Sequence, residues 1–183
     1  MTSGPTSNPF AGLGPFDRIS GGINTVIETP KGSRNKYKYE EDPGIFRLSG
    51  VLPLGAAFPF DFGFLPGTVG GDGDPLDVLL LMDEAVFPGC LVPARLVGVI
   101  EAEQVEEGQA EQNDRLIAVA SASRTHGDVH SLADLNGRLL EEIEHFFISY
   151  NHITQKIFRP LGRNGPERAR LVVEEGIKRF SGR

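Results

Sequence analysis

The run Asp72-Gly73-Asp74-Pro75-Leu76-Asp77 places three carboxylates at i, i+2 and i+5. Oxygen-only donors at that density suit a hard divalent cation, Mg²⁺ with Mn²⁺ as a substitute, better than zinc, which prefers nitrogen and sulfur. Gly73 permits a tight turn and Pro75 stiffens it, so the carboxylates can converge. Crowding them costs electrostatic energy unless a cation binds between them. A solvated acidic turn is the plainer reading, and for a lone D-x-D it would be the better one. Three carboxylates placed directly before an apolar run tip the balance toward a metal site for phosphate groups.

Other motifs are excluded. In an EF-hand loop, Leu76 would stand where an oxygen ligand is needed and Asp77 where glycine is required. No G-x-x-x-x-G-K-[ST] occurs, so the chain is not a P-loop nucleotidase. His126, His130, His145 and His152 are scattered and read as surface residues. Cys90, the sole cysteine, follows the turn Phe87-Pro88-Gly89 and reads as a packing residue rather than a nucleophile.

The elements that must position the aspartates are short strands. Val78 to Met82 is an apolar run that predicts a buried strand, and Leu91 to Ile100 predicts another, with Pro93 marking an edge or bulge. Leu116 to Val119 predicts a third. The segments Ile23 to Glu28 and Lys36 to Glu40 flank Pro30-Lys31-Gly32-Ser33, the pattern of a hairpin. Towards the C-terminus the apolar period lengthens. Leu132, Leu135, Leu139, Ile143, Phe146 and Tyr150 predict an amphipathic helix over 131–150 with Ser131 as N-cap. A second helix is predicted from Pro166 to Phe180, with Ala169, Val173, Ile177 and Phe180 on one face. The fold class is α+β, a small barrel with helices packed against it. Residues 1–22, rich in Gly, Pro, Ser and Thr, read as a flexible N-terminal tail with Phe10, Leu13 and Phe16 as anchors, and 23–183 as the domain.

The 183 residues, 39% hydrophobic and 23% charged, suffice for one domain with a proper core. A net charge of -7 argues against a nucleic-acid partner, although metal ions can reconcile an acidic protein with a small polyanion. No segment has the apolar length of a membrane span, and the N-terminus lacks the basic-then-apolar order of a signal peptide. One cysteine permits no intrachain disulfide, so the expected compartment is the cytoplasm.

Longer stretches resemble one family. Val26 to Tyr37, containing Glu28 and Lys36, looks like the opening strand and turn of the soluble family I inorganic pyrophosphatases. Phe58 to Pro66 resembles that family's Y-P-x-D-Y-G-F-I-P segment, and Asp72 to Asp77 matches its D-G-D-P-x-D signature. Phe87-Pro88-Gly89, Val97-Gly98-Val99, Leu116 to Val119 and His145-Phe146-Phe147 with Tyr150 follow in the family's order. The resemblance implies an OB-like five-stranded β-barrel core with C-terminal α-helices packed against it. It also implies Mg²⁺-dependent hydrolysis of inorganic pyrophosphate to two phosphates by metal-activated water, and a homo-oligomer, commonly a hexamer in bacteria. By family likeness Asp72, Asp77 and Glu28 are metal ligands, and Asp74 steers or deprotonates the attacking water. Lys36 and Tyr150 contact phosphate, and Arg115 stands at the position of a phosphate-binding lysine. The physical logic agrees, since pyrophosphate offers charge and no apolar handle.

The chain departs from the family pattern at several positions. Gln104 and Asn113 stand where D-x-x-x-x-D-x-K has its two aspartates, with extra residues between them. Gly50, Phe62 and Asn151 replace an arginine, a tyrosine and a lysine, and Lys38 replaces a glutamate. Glu103, Glu106, Glu107 and Asp114 are the carboxylates available as substitutes, and Arg34, Arg47, Lys38 and Lys156 the cations. These departures leave an alternative: a pyrophosphatase-like protein that binds metal and a phosphate ligand without cutting it. Cleavage of a related phosphate compound stands behind both.

Overall fold

The computed structural model describes residues 8–182. Five of its strands close into a ring. The strand β1 (Ile23–Thr29) pairs antiparallel with β4 (Asp61–Phe64), β4 antiparallel with β5 (Asp77–Leu81), and β5 parallel with β8 (Arg115–Ala120). From β8 the ring passes to β6 (Leu91–Glu106), whose first residues return to β1. This is the OB-like barrel expected from the sequence, and closure leaves the ring without exposed edges.

Val78, Leu79, Leu80 and Leu81 are each fully buried because β5 is covered on both faces. Leu79 and Leu81 join a core shared with α1 (Gly137–Ile153), while Val78 and Leu80 join one shared with α2 (Pro166–Ser181). A strand so placed reads as an unbroken apolar run rather than an alternation. The sixteen-residue β6 outgrows the ring. Its far half carries β7 (Gln109–Gln112) and β9 (Ile157–Asn164).

Two sequence expectations are corrected. The hairpin expected across Pro30 to Ser33 does not form a ladder. Instead β1 is taken into the barrel, and β2 (Asn35–Glu40) pairs with β3 (Ile45–Val51) in a separate two-stranded sheet. The helix expected over 131–150 is split. Ser131 caps a short 3-10 turn, Leu132–Asp134, in a capping box with Asp134, and Asn136 caps α1 through the amide of Arg138. Leu135 is extended between them, so a second cap, rather than one continuous apolar stripe, sets where the helix begins. The α1 residues turned fully inward are Leu140, Ile143, Phe147 and Asn151.

Of the segment ahead of β1, residues 1–7 lie outside the described residues. Phe10 stands edge-on to Tyr39, at 4.9 Å between ring centroids, and also contacts Phe46 and Phe64. Asn8 accepts a 2.7 Å hydrogen bond from the Tyr39 hydroxyl. Phe16 bridges to Ile23. Cys90 is half-buried beside the α2 core.

Candidate active site

A cleft of about 770 Å³ opens between the barrel, the β2–β3 sheet and the end of α1. Its walls carry Glu28, Lys36, Asp72, Asp74, Asp77, Arg115 and Tyr150, so all seven candidate residues named from the sequence meet in one place. None of the histidines lines it.

The aspartate loop is held from three directions. Gly73 sits at φ +86°, a conformation that residues with side chains rarely adopt, and the Asp74 amide donates to Asp72 Oδ1 at 3.1 Å. The Thr68 hydroxyl accepts from the Leu76 amide and donates to the Leu65 carbonyl, which pins the loop's base. From outside, α2 presses Gly176 against it. A Cβ there would meet Leu76 Cδ1 at 2.7 Å, so a larger residue requires the buried Leu76 side chain to shift.

Burial and crowding tune the carboxylates. Glu28 accepts the Tyr39 amide at 2.7 Å. Its burial, and then the Asp77 charge, push its pKa up to about 7 against that hydrogen bond. Burial and the neighbouring Asp77 and Asp74 raise Asp72 to about 6. Asp77 is also raised, by burial, although Arg115 opposes the shift. Carboxylates that resist ionisation because of burial, and then of one another, gain most from an arriving cation.

Opposing cations are built in. Asp77 and Arg115 are direct neighbours in the parallel β5–β8 register, and Arg115 Nη1 lies 2.7 Å from Asp77 Oδ2. Arg115 is only 4% exposed. Its Nη1 also contacts the Asn113 side-chain oxygen, and its guanidinium lies 5.1 and 5.2 Å from the ring centroids of Phe147 and Phe158. Asn113 in turn donates to Gln104 Oε1 at 3.0 Å. On the other wall Lys38 pairs with Asp74 at 2.8 Å, and the Lys36 ammonium lies 4.9 Å from the Tyr150 ring centroid. Lys36 and Lys38 reach the cleft together because strand residues two apart share a face.

The substitute cations and carboxylates divide between the cleft and its surroundings. Lys38 and Lys156 line the cleft. Arg34 is turned to the Leu52 carbonyl and Arg47 to Glu40. Glu103 pairs with Arg159, Glu106 pairs with Lys156, and Asp114 accepts the Ala102 amide. None of those three carboxylates lines the cleft. Gly50 lies opposite Lys36 in the β2–β3 ladder, Phe62 is in the α1 core, and Asn151 is buried and donates to the Phe147 carbonyl. Ser49, Glu40 and Glu41 on the rim were not singled out by sequence, since only the β2–β3 pairing brings them there.

Among the described residues no three His, Cys, Asp or Glu side chains form a ready-made metal cage. The donor set nonetheless suits Mg²⁺. That ion keeps several waters and takes one or two carboxylates together with phosphate oxygens, rather than an all-protein cage.

An oxygen-donor cleft of interleaved carboxylates and cations, set on a closed five-stranded barrel, defines a site for handling small phosphate anions. The profile of the inorganic pyrophosphatase family matches residues 25–181. Inorganic pyrophosphatase of Synechocystis is 37% identical over 166 residues, covering 91% of this chain and 96% of its own, and that of Nostoc is 36% identical over 87% and 92%. The crystal structure of inorganic pyrophosphatase from Thermus thermophilus superposes with a TM-score of 0.86 at 32% identity, covering 96% of this chain and 100% of its own. The Helicobacter pylori inorganic pyrophosphatase gives 0.81 at 35% identity, covering 88% and 94%. The chain belongs to the family I inorganic pyrophosphatases, whose members are metal-dependent in general.

Proposed function

We propose that the protein hydrolyses inorganic pyrophosphate to two phosphates with Mg²⁺, Mn²⁺ serving as a substitute. The observation that carries this reading is the convergence of Glu28, Asp72, Asp74 and Asp77 with Lys36, Lys38, Arg115 and Tyr150 in one cleft. A bound divalent ion supplies charge neutralisation and water activation. Glu28, Asp72 and the second oxygen of Asp77, whose Oδ2 is held by Arg115, would furnish its protein oxygens.

The chain's own groups do the rest. Asp74, on an exposed turn with its carboxylate paired to half-exposed Lys38, is placed to orient water and accept its proton. Lys36 and Lys38 present ammonium groups to phosphate oxygens from one strand face, and the Tyr150 hydroxyl adds a donor. Arg115 contributes a fixed positive charge from behind Asp77. No covalent intermediate is required, since phosphoryl transfer to water needs positioning and charge stabilisation.

The Gln104–Asn113 pair supports a second reading, a binder of phosphate ligands that has lost turnover. Phosphate release from pyrophosphate during Mg²⁺ and then Mn²⁺ titration separates the two. No release above background at any metal concentration rejects hydrolysis, and calorimetry with imidodiphosphate then tests binding. The same reading places the protein in the cytoplasm, as a homo-oligomer. No helix among the described residues is long and apolar enough to cross a membrane.

A further inference from the structure

We infer that the Gln104–Asn113–Arg115 wall of the cleft takes no divalent cation, and that Arg115 is the resident positive charge there in place of an ion. The inference deepens, and rests on, the metal-dependent reading of the same cleft.

Side-chain carbonyl oxygens of Asn and Gln are ordinary ligands for hard cations, so two carboxamides beside Asp77 would by themselves offer a cation site. Both oxygens already accept a hydrogen bond, that of Asn113 from a cation that would repel an ion. Gln104 Oε1 accepts the Asn113 amide, and Asn113 Oδ1 accepts Arg115 Nη1. The chain of bonds ends on Asp77 Oδ2, whose charge the guanidinium cancels. The wall's guanidinium and carboxylate balance, and its two carboxamides are hydrogen-bonded to each other and to the guanidinium, so it holds no spare negative charge to attract an ion.

Arg115 cannot vacate the position as an exposed lysine can. Lys38 has a side chain 48% exposed and is free to leave Asp74. Arg115 lies over the neighbouring rings of Phe147 and Phe158, and its Nη1 also stands 3.3 and 3.2 Å from the Asn113 and Asp114 carbonyls. A guanidinium stays charged at any working pH. Its field acts across a poorly solvated wall without direct exposure. The cleft is thus polarised. A substrate phosphoryl group facing β8 meets a fixed organic cation there instead of a divalent ion.

Mn²⁺ titration followed by electron paramagnetic resonance of the free ion, on the full chain without substrate, tests this. The variants are Arg115→Gln and the isosteric pair Gln104→Glu with Asn113→Asp. Each is expected to bind about one more Mn²⁺ per chain than the wild type, because each leaves unneutralised carboxylate on the wall. Should Arg115→Gln not fold, the isosteric pair decides alone. Equal counts in wild type and variants overturn the inference. A wild-type count of zero rejects the metal-dependent reading instead, and the difference between wild type and variants still decides the inference.

Discussion

Lys38 Nζ lies 2.8 Å from Asp74 Oδ2, joining the β2–β3 sheet to the aspartate loop across the mouth of the cleft. Both side chains are about half-exposed, so the pair adds at most about 1 kcal/mol to stability. Its significance is functional. The cation that covers Asp74 in the resting protein is also one that a phosphate anion would draw away.

Asp74→Asn is expected to leave the thermal midpoint nearly unchanged while lowering kcat by about 10²–10⁴-fold, the usual contribution of a positioned general base. Lys38→Gln is expected to raise KM more than it lowers kcat. Steady-state kinetics beside thermal melts check both. A large drop in midpoint for Asp74→Asn would show a structural rather than a chemical role.

Glu28 links the site to stability. Its carboxyl is raised from 4.5 to about 7, chiefly by burial. A folded-state pKa above the unfolded value means that the group's contribution is fully present below about pH 4.5 and is lost as pH rises through about 7. Metal-free protein should therefore lose stability relative to Glu28→Gln between pH 5 and 8, by an amount on the order of 2 kcal/mol. Mg²⁺ should restore the wild type and not the variant. Melts at both pH values, in chelator and in Mg²⁺, read this directly.

Asp83 governs a different pH range. It accepts the amides of Arg124 and Thr125 at 2.8 and 2.7 Å. Hydrogen bonds from the Thr125 side chain, then from these amides, hold its pKa well below the ordinary value of 3.8. The stabilisation is present above that value and is lost as pH falls through the lower folded-state pKa. Asp83→Ala should thus be less stable than wild type at neutral pH, with the difference narrowing in strong acid. A gap that stays constant down the acid limb would contradict it.

Gly176→Val should push the buried Leu76 side chain, and with it the base of the aspartate loop, out of position, since even a Cβ here meets Leu76 Cδ1 at 2.7 Å. A loss of about 1–3 kcal/mol is expected from overpacking. The displaced loop should also weaken Mn²⁺ binding, although Gly176 touches no candidate ligand. Denaturant unfolding and the same Mn²⁺ titration measure the two effects.

Much of this was legible in the chain itself. The D-G-D-P-x-D run needs no partner to be recognised, because the loop's glycine, proline and carboxylates are contiguous. The β5 run and both helical periods could be read because burial imposes a local pattern on adjacent residues. The division of the first helix escaped that reading, because the apolar positions on either side of Leu135 and Asn136 continue in near phase. The strands β3 and β9 escaped as well. Each is mostly exposed, so alternation carries little apolar signal.

The sequence by itself determined the chemistry available: oxygen donors, a few cations and an aromatic hydroxyl, on a barrel with two helices. Tertiary structure alone decided how these charges are paired. That Asp77 is paired with Arg115 depends on the parallel β5–β8 register, and whether Asp74 stands free or is covered by Lys38 depends on where the β2–β3 sheet lies. Electrostatic energy depends on distance in space and on burial, and chain separation encodes neither. The aspartate loop thus announced a site for phosphate chemistry, and its charge balance emerged only when residues 36 positions apart, Lys38 and Asp74, came within hydrogen-bond reach.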